Sequence, residues 1–345
     1  MTDESLAEAC AEKLVGWCAA VRRPLPWRLS PTPYHVWVSE IMLQQTRIEA
    51  VIPYYARFLE ALPNIRALAE VEEDKLLKLW EGLGYYSRAR NLQKAARQVL
   101  AEYNGELPRK ARELKKLPGI GDYTAGAIAS IACGEPEPAV DGNVLRVLSR
   151  LLENSGDILS PAVKKSVTSL LREHYPSGEA AALTTEGLME LGETICIPNG
   201  APKCELCPWK SLCRAHQNGT EENYPVKAPP RPRRIEERSV LLLRWGDRWA
   251  IRQREKKGLL AGLWEFPNEP GAVTEEELRA RFPMAERIAP CGRARHIFTH
   301  VEWHMEGWLL DLKRPLPGLT WETAAEIRSR YSIPTALKAY LALIE

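Results

Sequence analysis

The chain has 345 residues, enough for two domains with separate cores, and its 47 Lys and Arg against 45 Asp and Glu leave a net charge of +2. That near balance excludes a global basic field, so any nucleic-acid surface must come from local clusters. No apolar run approaches the roughly 20 residues of a membrane span, and the opening Met1-Thr-Asp-Glu-Ser5 lacks the basic and apolar regions of a signal peptide, so we expect an intracellular protein, cytoplasmic or nucleoid-associated, away from membranes.

In chain order, apolar residues recur at helical spacing over 6–21, 34–47, 52–62, 73–80, 87–103, 111–117, 142–152, 161–174 and 179–194, separated by Pro, Gly or Asn. No stretch before residue 218 alternates like a strand, so 1–217 reads as one all-α domain. Residues 218–237 are polar and proline-rich and read as an extended linker. Beyond 238 the period changes. Strands are expected at 239–245 and 249–253, joined at Gly246-Asp247, and at 300–312, with helices at 274–281 and 323–330. Residues 238–345 thus form an α+β second domain. Phosphate-contact candidates are the pairs Arg88 with Arg90, Lys115 with Lys116 and Lys164 with Lys165, and Arg231 with Arg233 and Arg234.

Three patterns carry chemistry. Glu40 lies in Val36-Trp-Val-Ser-Glu-Ile-Met-Leu-Gln-Gln-Thr46, where apolar neighbours would desolvate a carboxylate, raise its pKa and let it act as a general acid; a solvent-facing Glu is the alternative. Leu117-Pro-Gly-Ile-Gly-Asp-Tyr-Thr-Ala125 reads as a hairpin between helices, in which Gly119 and Gly121 permit positive φ and present amides to a phosphate. Asp141 follows, as a carboxylate for chemistry, an N-cap for helix 142–152, or both. Cys196, Cys204, Cys207 and Cys213 have seven, two and five residues between them, which suits a [4Fe–4S] cluster or a zinc ion.

The hairpin, Asp141-Gly-Asn143 and the cysteines together resemble the helix-hairpin-helix DNA glycosylases related to endonuclease III. Lyase-type members carry at position 123 a lysine that forms a Schiff base; Tyr123 cannot. Members with tyrosine there are the MutY-type adenine glycosylases. The resemblance implies a multi-domain protein: an all-α helix-hairpin-helix glycosylase domain with an iron–sulfur loop, plus an α+β Nudix-like C-terminal domain. It implies a monofunctional DNA glycosylase, acting as a monomer on double-stranded DNA, that removes adenine opposite 8-oxoguanine or guanine in base excision repair. An endonuclease III-like enzyme for oxidised pyrimidines and a non-catalytic damaged-DNA binder are the alternatives.

By the same resemblance, Glu40 protonates the leaving adenine, Asp141 stabilises the sugar cation, and Tyr123 and Asn143 surround them. Glu190 belongs to the same surroundings, Arg28 contacts the base, Gln45 enters the helix, Tyr85 wedges beside the oxidised guanine, Gly119 and Gly121 bind the DNA backbone, and the four cysteines hold a structural [4Fe–4S] cluster. The family's first cysteine spacing is six, one fewer than here, and its Phe-Asn-Gln-Ala is replaced here by Thr184-Thr-Glu-Gly187. In the second domain, Gly258-Leu-Leu-Ala-Gly-Leu-Trp-Glu-Phe-Pro267 resembles Nudix-type domains, but Thr274–Arg281 lacks the acidic box that holds magnesium. The domain therefore reads as a reader of 8-oxoguanine through Phe298, Thr299 and His300, where Thr299 replaces the family's serine.

Overall fold

A computed structural model describes residues 3–229 and 232–344. Arg231, among the candidate phosphate contacts, lies outside them. The chain forms two compact units, one built from the chain up to Glu70 and from Asn91 to Pro229, the other from Val71–Arg90 and the chain beyond Pro229.

The helices of the first part of the chain are α1 (Asp3–Val21), α2 (Pro26–Leu29), α3 (Pro33–Leu43), α4 (Ile48–Ala61), α5 (Ile65–Glu70), α6 (Glu73–Leu79), α7 (Ser87–Glu102), α8 (Ala111–Leu114), α9 (Asp122–Ala127), α10 (Gly142–Leu152), α11 (Pro161–Glu173), α12 (Glu179–Thr194) and α13 (Arg214–Asn218). In the first unit, α10 buries Val144, Leu145, Val147, Leu148 and Leu151 against Leu14 of α1, Leu188 and Leu191 of α12, and Trp209. Two glycines of α12 allow this packing. A Cβ at Gly187 would meet Leu14 at 2.9 Å, and one at Gly192 would meet Asn143 at 2.8 Å.

The helix that follows the hairpin is short. α9 ends at Ala127 and one π-helical turn, Ile128–Ala132, follows. Ser130 in that turn hydrogen-bonds back to the Gly126 carbonyl (2.7 Å) and to Thr185 of α12 (2.6 Å), whose hydroxyl also meets Tyr175 (2.6 Å). These side-chain contacts accompany the wider turn.

The second unit holds strands β1 (Arg234–Trp245), β2 (Arg248–Gln253), β3 (Trp264–Glu265), β4 (Asn268–Pro270), β5 (Ala285–Ile297), β6 (Val301–Leu312) and β7 (Thr320–Thr323), with helices α14 (Glu275–Arg281), α15 (Ala324–Arg330) and α16 (Lys338–Leu341). The sheet order is β3-β2-β1-β6-β5, with β4 on β1 and β7 on β2. β1 and β6 run parallel, Val240 opposite Gly307. Residues 239–243 are buried without alternation because both sheet faces are covered. Val240, Leu242 and Ile251 cluster with Ile327 and Leu337 on one face; Leu241, Leu243, Ala250 and Leu310 cluster with Leu278 on the other. β1 begins at Arg234, four residues ahead of the change in period, and β5 escapes that period altogether. β5 is an edge strand with two register shifts, and Glu286, Arg287, Arg293 and Arg295 are exposed along it, so charge and bulges hide its alternation.

Candidate active site and cysteine loop

Glu40 sits in α3, where Thr32 caps the helix by accepting from the His35 amide and Pro33 opens the first turn. Every residue from Val36 to Met42 is buried, and Glu40 is only 4% exposed. Its Oε2 accepts a hydrogen bond from the Tyr123 hydroxyl at 2.7 Å. Burial pushes the Glu40 carboxyl up to about 7; the Tyr123 hydrogen bond opposes that rise and the charge of Asp141 adds to it. Burial, then the charges of Glu40 and Asp141, hold the Tyr123 phenol well above its ordinary range, so it remains a donor.

Asp141 is the N-cap of α10. One oxygen accepts from the Val144 amide (2.8 Å) and the other from Asn143 Nδ2 (3.1 Å). Burial raises its carboxyl and these donors pull it back. Asn143 Oδ1 in turn accepts from Arg146, which also reaches the carbonyls of Gly192 and Cys196, each at 2.9 Å.

Glu40, Tyr123, Asp141, Asn143, Arg28 and Gln45 line one cavity of about 480 Å³. Glu190 does not. It is buried behind it, pairing with Arg23 (2.5 Å) and Arg28 (2.8 Å). Arg23, Trp27, Glu186, Met189 and Glu193 also line the cavity, and sequence reasoning missed them. Glu186, Glu190 and Glu193 stand at i, i+4 and i+7 on one face of α12, a spacing that a solvated helix face shows equally. Glu186 pairs with Arg22 at 2.7 Å and with Arg28 at 3.7 Å. Gln45 carries a φ of 58°, a left-handed conformation that costs a non-glycine residue about 1 kcal/mol or more.

In the hairpin, Gly119 has a φ of 79°, and a Cβ there would fall 2.7 Å from Asn91. The expectation for Gly121 is corrected: it caps α9 in extended backbone at a φ of −91°, so positive φ is not its requirement. The space at its Cα is open.

In the second unit Tyr85 is 49% exposed, with a φ of 46°, and its hydroxyl lies 2.7 Å from the Thr299 hydroxyl. Phe298 packs edge-on against His296 and Trp303, and its amide donates to the Val301 carbonyl at 2.8 Å, closing a turn that leaves Thr299 and His300 exposed. Of the candidate phosphate contacts, Arg88 and Arg90 have partners within the unit. Arg88 is buried, donating to the carbonyls of Leu83 (2.8 Å) and Gly84 (3.1 Å), and Arg90 pairs with Glu73 (2.6 Å). In α14, Glu277 caps its own helix and Glu275 pairs with Arg279, so these acids are engaged locally.

Cys196, Cys204, Cys207 and Cys213 line a single small cavity with Arg150, Leu191 and Trp209. The longer first loop closes by Lys203 N donating to the Ile195 carbonyl (3.0 Å), with Gly200 turning at a φ of 76°. Burial pushes the Cys204 thiol up to about 11 and Cys207 up to about 12. Arg150, 4% exposed and in no ion pair among the described residues, donates to Cys196 Sγ (3.3 Å) and to the Ile197 carbonyl (2.9 Å). A buried guanidinium beside four thiols is the setting an anionic metal–thiolate group would neutralise. Cys204 also lies within 4.8 Å of His216 and Glu221, a second possible donor set. No helix among the described residues is long and apolar enough to cross a membrane.

The family model described as HhH-GPD superfamily base excision DNA repair protein matches residues 38–173, and a NUDIX domain model matches 239–343. The chain is 34% identical to the adenine DNA glycosylase of Homo sapiens over 94% of its length and 72% of that protein. It is 40% identical to the adenine DNA glycosylase of Buchnera aphidicola subsp. Acyrthosiphon pisum, covering 84% of this chain and 83% of that one. Among solved structures, a thermostable thymine-DNA glycosylase superposes with a TM-score of 0.56 at 26% identity, over 62% of this chain and 98% of the other. A trapped endonuclease III–DNA covalent intermediate superposes with a TM-score of 0.53 at 26% identity, over 64% of this chain and 99% of the other. With a helical HhH-GPD domain, a C-terminal NUDIX domain and this likeness over most of its length, the chain belongs to the family of adenine DNA glycosylases.

Proposed function

We propose that this protein is a monofunctional glycosylase that removes adenine paired with 8-oxoguanine, or with guanine, from duplex DNA. The observation that carries the reading is the pair of carboxylates on one cavity, Asp141 half-buried and Glu40 buried and lifted to about 7. At about 480 Å³ the cavity is in the range of roughly 300–1,000 Å³ typical of small-molecule sites, and a base extruded from the stack would enter it. Tyr123 engages Glu40 Oε2, which leaves Oε1 to carry the proton donated to the departing purine. Asp141, held by Val144 and Asn143, faces the cationic sugar as the glycosidic bond breaks, and water completes hydrolysis. With tyrosine at 123 the hairpin offers no amine for an imine, so strand cleavage is not part of the reaction.

The pairing of Tyr85 with Thr299 supports the reading of the opposite base: a half-exposed aromatic that can enter a base step stands beside a hydroxyl that can test the base's edge. Exposed amides at Gly119 and Gly121 would meet the DNA backbone. Cys196, Cys204, Cys207 and Cys213 would hold a [4Fe–4S] cluster, which cross-links the loop from 196 to 213 and supplies no step of the reaction.

The test is incubation with duplexes carrying adenine opposite 8-oxoguanine, adenine opposite guanine, or thymine glycol, with strands analysed before and after alkali. Cleavage at adenine only after alkali is expected. Cleavage confined to thymine glycol without alkali overturns the proposal.

A further inference from the structure

We propose that Glu81 and Lys78 form a latch that positions Tyr85, so that discrimination of the base opposite adenine depends on two residues remote from the Tyr85–Thr299 contact. The inference rests on the mispair reading above. In the segment from Glu81 to Tyr86, Gly82, Gly84 and Tyr85 all have positive φ, at 105°, 69° and 46°, and of these only the tyrosine is strained. A strained tyrosine keeps one position only when its surroundings hold it there.

Part of that holding is internal. Trp80 Nε1 donates to the Gly84 carbonyl at 3.1 Å, and Arg88 donates to Leu83 and Gly84 while its guanidinium lies over the Trp80 ring. The rest comes from residues some 250 positions later. Glu81 Oε1 accepts from the Ile333 amide at 2.9 Å, and its Oε2 accepts from Lys78 Nζ at 2.6 Å. Lys78 Nζ also donates to the Tyr331 carbonyl at 3.1 Å. Ile333 is buried in the core of the unit, and the Tyr331 ring packs edge-on against Trp264 at 4.7 Å.

Glu81 therefore commits both oxygens and Lys78 bonds two acceptors, unlike a solvated surface pair. The base of this loop is pinned to residues 331–333 and its tip to Thr299. Releasing the base lets the backbone at Tyr85 relax out of the left-handed region, and the hydroxyl then loses its register with Thr299. Glu81 and Lys78 are positioning residues: they act through Tyr85.

The experiment compares full-length wild type with Glu81→Leu, Glu81→Gln and Lys78→Met. Single-turnover adenine excision is measured opposite 8-oxoguanine and opposite guanine, with hydrogen–deuterium exchange at residues 82–86 and 298–300. Glu81→Leu should lower the 8-oxoguanine-to-guanine rate ratio roughly tenfold, leave the guanine duplex rate unchanged and speed exchange in both segments. Glu81→Gln keeps an acceptor for Ile333 and should restore most of the ratio; Lys78→Met should fall between. Added to Tyr85→Leu, Glu81→Leu should cost nothing more in the ratio. If Glu81→Leu does not fold, Lys78→Met carries the test. Wild-type ratio and exchange in the variants, or equal losses on both duplexes, overturn the latch. A wild-type enzyme with no preference, whose exchange still responds to Glu81→Leu, overturns the mispair reading and the latch's role in specificity.

Discussion

Glu40 is buried, Tyr123 and Asp141 are half-buried, and hydrogen bonds tie Tyr123 to Glu40 and Asn143 to Asp141, whereas Tyr85 and Thr299 are exposed, with Tyr85 in left-handed backbone and one hydroxyl contact between them. The difference follows from what each region must do. A proton donor near neutrality gains from desolvation, because burial disfavours the charged carboxylate and keeps the proton on. A surface that inspects a macromolecule needs exposure, and buys its order from fixed loops instead. Damage to the first region should therefore abolish chemistry, and damage to the second should change selectivity.

The largest expected effect tests the first half of that contrast. Glu40→Gln and Asp141→Asn should each lower single-turnover adenine excision by at least roughly 10²-fold, while binding of an uncleavable duplex persists. Loss of binding in step with loss of excision would move these residues into scaffold roles. Next, Cys204→Ser should remove the visible absorption of an iron–sulfur protein and lower the melting temperature. A colourless wild-type protein holding a single zinc that Cys204→Ser releases would point instead to the donor set of Cys204, His216 and Glu221.

On the exposed side, Thr299→Ala should lower the preference for 8-oxoguanine over guanine by about tenfold, the worth of one hydrogen bond of roughly 1 kcal/mol or a little more. A preference that survives would remove Thr299 from recognition. The smallest effect sharpens the acid assignment. Excision needs protonated Glu40, so the rate should fall as pH rises through about 7. The Tyr123 hydrogen bond favours the Glu40 anion, so Tyr123→Phe should raise the Glu40 pKa and move that alkaline limb upward. A downward shift of the limb would contradict the geometry.

Local patterns were legible. The helical period marked most long helices of the first unit, Asp141 before α10 read as both a cap and a carboxylate, and the spacing of the four cysteines singled out their loop. Glu40 was legible through its apolar neighbours, since burial on a helix follows from periodicity. What stayed hidden depended on partners far along the chain. Glu186 on the cavity, Glu190 behind it and Arg88 turned inward are indistinguishable in sequence from solvated charges, because pairing with Arg22, Arg23, Arg28 or a backbone carbonyl is decided by packing. The same holds for β5, whose neighbour β6 supplies the pairing that its own charged sequence does not announce.

By itself the sequence determined the residue types, their helical spacing and the local caps, since these depend on backbone geometry within a few residues. Only the tertiary structure decided which carboxylates lose water, which arginines are spent on internal pairs, and that Tyr85 meets Thr299, because desolvation and contact across more than 200 residues arise only when the chain is packed.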